Sequence, residues 1–319
     1  MVERTEATEK WYSVKASEIA NAFRSRTGLS SQSDMLTWLA SHRTTMTAAS
    51  WRLYRAALGY EFEKRGFSEM AREIRALGTE QCLPAKSSHK ARRKQKKLPI
   101  KDHRRINEVL MSSRSRYAEI IGLMLEASRL TGLRPIEWAH CYVDDSNPAA
   151  PTLIVQNAKV TNGRSHGPYR KLRLDNLTRN ERRTVRTMAK KGYEHRDHWE
   201  HTFKQARKTL GRITHKLWPR RKKKPSLYTS RHQFAADAKA ANLSQVEIAA
   251  LMGHADVKTA SQHYGRTTAG TRGGTGFRID PDPGDIQSVL DMIGAKTTPE
   301  PDQSVSWNNR PDPDGLDLG

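Results

Sequence analysis

The chain has 319 residues, with 56 lysines and arginines against 34 aspartates and glutamates, giving a formal net charge of +22. A field of that size favours polyanionic partners and exceeds what solubility requires. Two cysteines are too few for a disulfide framework or a thiolate zinc site and fit a reducing cytoplasm. No apolar run is long enough to cross a bilayer, the N-terminus lacks a signal-like apolar core, and no Gly-rich phosphate loop points to nucleotide hydrolysis.

The length accommodates two domains with real cores. Helical spacing predicts four helices in the first, over Ala16–Arg26, Ser33–His42, Ala48–Lys64 and Ser68–Leu77. In the third, Trp51, Leu53, Tyr54, Ala57, Leu58 and Phe62 recur at helical intervals, as the core face of a bundle does. A polar, cationic stretch follows, containing Lys90, Arg92, Arg93, Lys94, Lys96 and Lys97, and reads as a linker. The expected organisation is a helical domain over 1–82, a basic linker over 83–98, a second domain over 99–270 and a tail over 271–319.

In Ala127-Ser-Arg-Leu-Thr-Gly132-Leu-Arg134-Pro135-Ile-Glu137, an apolar helix closes on glycine and the next opens with proline. Arg134 sits at the joint, fixed by backbone geometry, and Glu137 one turn later is placed to orient it by a charge-assisted hydrogen bond. Residues 152–174 read as two strands around a loop containing Asn162-Gly163. Lys159, Arg164 and His166 share that loop. His195, His198 and His201 recur at intervals of three, a spacing that drifts around a helix instead of converging on a metal. A second cationic run, with Arg220, Arg221 and Lys222 in it, precedes Tyr228-Thr-Ser-Arg231-His232.

Ser244-Gln-Val-Glu247 is a capping-box signature, and Gly253 ends the helix it starts. His254 follows, Asp256 caps the next helix, and Tyr264 lies near that helix's end, just before a glycine-rich run. An arginine and a histidine delivered near a tyrosine suit phosphoryl transfer, where a weak nucleophile attacks and developing negative charge must be met by fixed donors. The tail beyond 271 is acidic and rich in proline and glycine, so much of it is expected to be disordered, with one short helix over 285–293.

Each residue alone has an ordinary reading: a cap, a salt-bridge partner, a half-buried aromatic. Jointly they resemble the tyrosine recombinases, the family of phage-type and mobile-element integrases, in order and approximate spacing over residues 99–268. Arg134 stands at the family's first catalytic arginine, Arg231 at the second in the His-x-x-Arg-His motif, His254 at the histidine of Gly-His, and Tyr264 at the nucleophile. Where the family has histidine three residues before the second arginine, this chain has Tyr228. A phenol donates a hydrogen bond but, with an ordinary pKa of about 10, accepts a proton poorly at neutral pH.

The resemblance implies a mainly α fold with a small β-sheet: an N-terminal helical core-binding domain and an α+β catalytic domain, closing as a C-shaped clamp on duplex DNA. It implies Lys159 as general acid toward the leaving 5′-oxygen, with Arg164 and His166 as alternatives on the same loop. His232 would support the second arginine, and the residues of the two cationic runs, with Arg164, would contact the DNA backbone. The implied activity is site-specific recombination at double-stranded sites, through a 3′-phosphotyrosyl intermediate and a four-way junction, for integration or excision of a mobile element. The implied assembly is a tetramer on DNA, with an accessory DNA-bending or directionality factor, no cofactor or metal, and a cytoplasmic, nucleoid-associated location. The short tail helix would dock in trans on a neighbouring protomer or in cis on its own domain. A type IB topoisomerase-like relaxation activity and a non-catalytic DNA-binding protein on the same fold are the alternative readings.

Overall fold

The computed structural model describes residues 4–83, 95–158, 160, 165–257, 270 and 277–297. The described chain is mainly helical, with one small antiparallel sheet. It divides into two compact units, residues 1–94 with 220–223 and residues 95–219 with 224–319.

The first unit contains α1 (Glu6–Thr27), α2 (Gln32–His42), α3 (Ala48–Lys64) and α4 (Ser68–Ala76). Thr5, Ser31 and Thr47 cap the first three, each side chain accepting from a backbone N–H three residues on. Ile19, Phe23, Leu39, Trp51, Leu58, Phe62 and Ile74 form its core, and Trp51 Nε1 donates to Gly78 O at 2.8 Å, so the indole is buried without stranding its donor. The four helices lie where sequence periodicity puts them, except that α1 begins ten residues earlier. Thr5 supplies its cap and Tyr12 packs against Tyr60 of α3, tertiary contacts that periodicity does not register.

The second unit runs α5 (Ile100–Met111), α6 (Ala118–Thr131), a 3-10 helix (Pro135–His140), β1 (Cys141–Asp144), β2 (Thr152–Gln156), β3 (Tyr169–Arg173), α7 (Arg179–Glu194), α8 (Trp199–Leu217), α9 (Thr229–Ala240), α10 (Gln245–Met252), β4 (Asp280–Pro281) and α11 (Pro283–Thr297). The strands pair in sequence order, all antiparallel. Val155 of β2 faces Cys141 on one side and Arg170 on the other, and Leu153 faces Leu172. Alternation sends Leu153, Val155, Leu172 and Arg170 inward. The apolar helix α6 sits at the centre, with Ile121, Met124 and Leu125 buried among residues of α7, α8 and α9 such as Val185, Met188, Leu210 and Phe234.

Two boundaries differ from the sequence expectation. Gln95 and Leu98, inside the expected linker, are buried in the second unit, where Leu98 N–H donates to Gln233 Oε1 at 2.8 Å. Composition marks the stretch as polar and misses its anchor. Residues 277–297 are part of the unit: β4 pairs with β3, and α11, longer than 285–293 at both ends, lays Val289 on Ala249 and Ala250 of α10. Within this single chain, α11 takes the cis arrangement, one of the two the sequence leaves open. The remainder of the tail lies outside the described residues. Among the described residues no helix is long and apolar enough to cross a membrane.

Candidate active site

The site begins with the way α6 ends. Gly132 takes φ +71, closing the helix with its N–H on Ser128 O. A Cβ there would stand 2.4 Å from the Phe234 ring of α9, so glycine is required for both the turn and the close approach. Two residues on, Arg134 is extended (φ −71, ψ 145) and opens the 3-10 helix, with Pro135 at its first position. Arg134 N–H donates to Glu137 Oε2 at 2.7 Å and its Nη1 to Glu137 Oε1 at 2.5 Å. The sequence places Glu137 as the orienting group for Arg134, and the geometry agrees.

Glu137 gathers more than that partner. It is 1% exposed. Arg170 of β3 forks onto it, Nη2 to Oε2 at 2.7 Å and Nη1 to Oε1 at 3.3 Å. Arg231 Nη1 lies 3.8 Å from Oε2, and Ala158 N–H reaches Oε1 at 3.4 Å. Burial by itself would raise this carboxyl's pKa. The Arg170, Arg231 and Arg134 guanidiniums outweigh it and hold the group below the ordinary carboxylate range.

Arg231 lies in the first turn of α9 and is fully buried. Its Nη1 donates to Gly132 O at 2.5 Å, and its Nη2 to Met252 O at 2.8 Å and to His254 Nε2 at 3.1 Å. Positions 132, 231 and 252, far apart in sequence, meet at one guanidinium.

His254 is placed by the end of α10. Ser244 and Glu247 form the reciprocal capping box that starts this helix, and Gly253 ends it at φ +62, with His254 N–H on Ala249 O. A Cβ on Gly253 would stand 2.3 Å from Asn157 Oδ1 and 2.9 Å from Arg170 Nη1. His254 is buried, and its pKa lies well below the usual histidine value because of that burial and the Arg231, Arg134 and Arg170 charges. The ring is therefore neutral at pH 7. With Nε2 accepting from Arg231, the proton sits on Nδ1.

Tyr228 caps α9 half-buried, its ring set edge-on to His232 at 5.4 Å between centroids. The structure thus brings together Arg134, Glu137, Arg231 and His254, and places Tyr228 and His232 on the same turn of α9 as Arg231. His166 is buried, donating from Nε2 to Ala250 O at 3.2 Å and lying 3.9 Å from Asp285. That engagement ties it to α10 and α11. Lys159, Arg164 and Tyr264 lie outside the described residues, as do Lys90, Arg92, Arg93 and Lys94. Lys96, Lys97, Arg220 and Lys222 are exposed and Arg221 is half-buried.

Two features escaped sequence reasoning. Arg170 is the first; its signal was a charged residue at an inward position of an alternating strand. The second is α8, whose outer face carries Lys204, Arg207, Lys208, Arg212, His215 and Lys216, all exposed, while Trp199, Thr202, Ala206, Leu210 and Thr214 face the core. At 1.5 Å per residue this cationic stripe runs about 18 Å. Residues 95–257 hold 33 lysines and arginines against 15 acidic residues, so most of the chain's excess charge belongs to this stretch. His195, His198 and His201 fall at the end of α7, on a 3-10 turn and on α8, all exposed. Among the described residues no group of three His, Cys, Asp or Glu side chains is gathered as a cation site. No family model matches this sequence, and no curated protein matches it.

Proposed function

We propose that the chain is a DNA-cleaving and rejoining enzyme of the tyrosine-recombinase kind, in which the second unit is the catalytic domain and the first the core-binding domain. The observation that carries this reading is the meeting of Arg134, Arg231 and a neutral His254 around one buried carboxylate. Three guanidiniums share Glu137, so the cluster holds two more positive charges than negative. An excess of that kind suits a phosphodiester, whose single negative charge grows toward two as a nucleophile adds.

In this reading the Tyr264 oxygen attacks the scissile phosphorus as its proton passes to water, a 3′-phosphotyrosyl bond forms, and the bond to the 5′-oxygen breaks. Lys159 gives that oxygen its proton. Arg134 and Arg231 supply charge to the non-bridging oxygens. The terminal nitrogens of Arg231 bond protein acceptors, so Arg231 also acts by setting His254, whose Nδ1–H is the donor. Tyr228 adds a hydrogen bond and, as a phenol, no base. Attack on the phosphotyrosine by a 5′-hydroxyl of another strand reverses the step without ATP. The cationic face of α8 supports backbone contact with duplex DNA.

The test is covalent trapping. Wild type and Tyr264→Phe are incubated with nicked duplexes tiled across the DNA on either side of the coding sequence and run on a denaturing gel. An adduct with wild type alone supports tyrosine cleavage; exchange between two labelled duplexes then separates recombination from relaxation. Tight binding with no adduct would leave a DNA-binding protein on this fold, the reading that Tyr228 favours.

A further inference from the structure

The side chain of Arg170 is fully buried on the inward face of β3, where a strand ordinarily presents an apolar group. A guanidinium in that position is stable only if nearly every donor is met, and here four N–H groups are. Nε donates to Leu251 O at 3.0 Å, Nη1 to both Asn157 Oδ1 and Glu137 Oε1, and Nη2 to Glu137 Oε2. These acceptors belong to three separate pieces of chain. Leu251 precedes the Gly253-His254 turn by two residues. Asn157 follows β2 and precedes Lys159 by two, and it also closes the base of that loop, its N–H on Pro168 O and its Nδ2 on Gly167 O, both at 2.8 Å. Glu137 holds Arg134.

We propose that Arg170 is a positioning residue for strand cleavage: one buried guanidinium sets the register between Asn157, two residues before Lys159 in sequence, the turn that carries His254, and the carboxylate that orients Arg134. The inference rests on the recombinase reading above. Arg170 has no surface to offer DNA, so its contribution appears in the chemical step and not in binding. A lysine keeps the charge but has no planar fork to span Glu137 and Asn157 together. Geometric errors of about 1 Å among reacting groups cost roughly a hundredfold in rate, which makes such a hub measurable.

The experiment compares wild type, Arg170→Lys, Arg170→Gln and Asn157→Ala on the nicked duplex that wild type cleaves. It reads DNA Kd, single-turnover adduct formation, its pH profile and thermal melting for each. The expected result is a Kd within about threefold of wild type throughout, with cleavage slowed about tenfold in Asn157→Ala and Arg170→Lys and about a hundredfold in Arg170→Gln. Arg170→Gln also shifts the acid limb of the rate profile upward, because Glu137 loses its largest opposing charge. A purely structural role would lower melting without moving that limb. If the Arg170 variants fail to fold, Asn157→Ala, which leaves the Arg170–Glu137 pair intact, decides alone. Wild-type cleavage by Asn157→Ala or by a folded Arg170→Lys would overturn the positioning role and leave the recombinase reading standing. No adduct from wild type itself would overturn both.

Discussion

Arg231 Nη2 donates to His254 Nε2 at 3.1 Å, and that bond fixes which nitrogen of the ring keeps a proton. Burial and three guanidiniums keep His254 neutral, so it does not titrate in the physiological range. Cleavage is expected to show no inflection near pH 6.5 from this residue. Nitrogen-15 NMR of labelled histidine should find one ring that stays in the neutral Nδ1–H form from pH 8 to pH 6. The folded pKa is depressed, so unfolded chains take up a proton first as pH falls below about 6.5, and stability drops with them. His254→Gln should flatten that part of the stability–pH curve.

Glu137 offsets charge on three buried arginines. Glu137→Ala is expected to cost about 3–5 kcal/mol, because it leaves guanidiniums buried without their counter-charge, and to abolish adduct formation. The carboxyl is depressed in the fold, so its stabilisation is present above the unfolded value of about 4.3 and is lost as pH falls through the lower folded pKa. Denaturant titrations of wild type and Glu137→Gln should therefore differ most at neutral pH and converge in acid. A gap of constant size from pH 7 to pH 2 would contradict the ion-pair account.

Gly253 cannot become alanine quietly. Its φ of +62 and the 2.3 Å approach of a Cβ to Asn157 Oδ1 both oppose a side chain. Gly253→Ala should lose about 1–3 kcal/mol of stability in chemical denaturation. Its cleavage loss should be larger than that destabilisation explains, since the displaced atoms belong to Asn157 and Arg170 beside the His254 turn.

Asp285 works in the opposite sense. Burial and the neighbouring Asp282 charge raise its carboxyl to about 6, against the lowering effect of the Lys171 N–H, which it accepts at 2.6 Å, and of the Arg170 and Lys171 charges. His166, 3.9 Å away, is itself kept neutral-leaning by burial. A raised acid favours the fold at low pH and weakens it as pH climbs through about 6. Docking of α11 should be firmest below about pH 4, and Asp285→Asn should retain that firmness at pH 8. Amide hydrogen exchange of residues 283–297 at both pH values checks this, and equal exchange for variant and wild type at pH 8 would count against it.

The stripe on α8 predicts a salt effect. Replacing Lys204, Arg207, Lys208 and Arg212 together with glutamine should weaken DNA binding and reduce the slope of log K against log salt by about 0.9 for each phosphate no longer neutralised. Fluorescence anisotropy over a salt series measures it. An unchanged slope would place the DNA on another face.

Much of this was legible in the sequence where the signal is local. The Ser244–Glu247 capping box, the glycine stops at 132 and 253 and the apolar spacing of α3 and α6 each reside within a few residues, so helices and their ends could be read directly. Arg134 and Glu137 share one turn, and their bond followed from spacing. Arg170 was not found, because its meaning depends on Glu137 and Leu251, which lie 33 residues before it and 81 after it. The same applies to Gln95–Leu98 and to residues 277–297. Their composition is that of linker and tail, and only partners such as Gln233 and Ala249 reveal them as parts of the core.

The placement of β4 and α11 at the end of the second unit also has a bearing on the order in which the molecule is made. The fourth strand and the helix over Ala249 and Ala250 are the last described elements to leave the ribosome. A nascent chain that has reached only Gly276 holds every arginine of the site, yet the apolar face of α10, and with it the support for the His254 turn, is still bare. A chain stopped at Gly276 should therefore show protease-sensitive α10 and a poorly held His254.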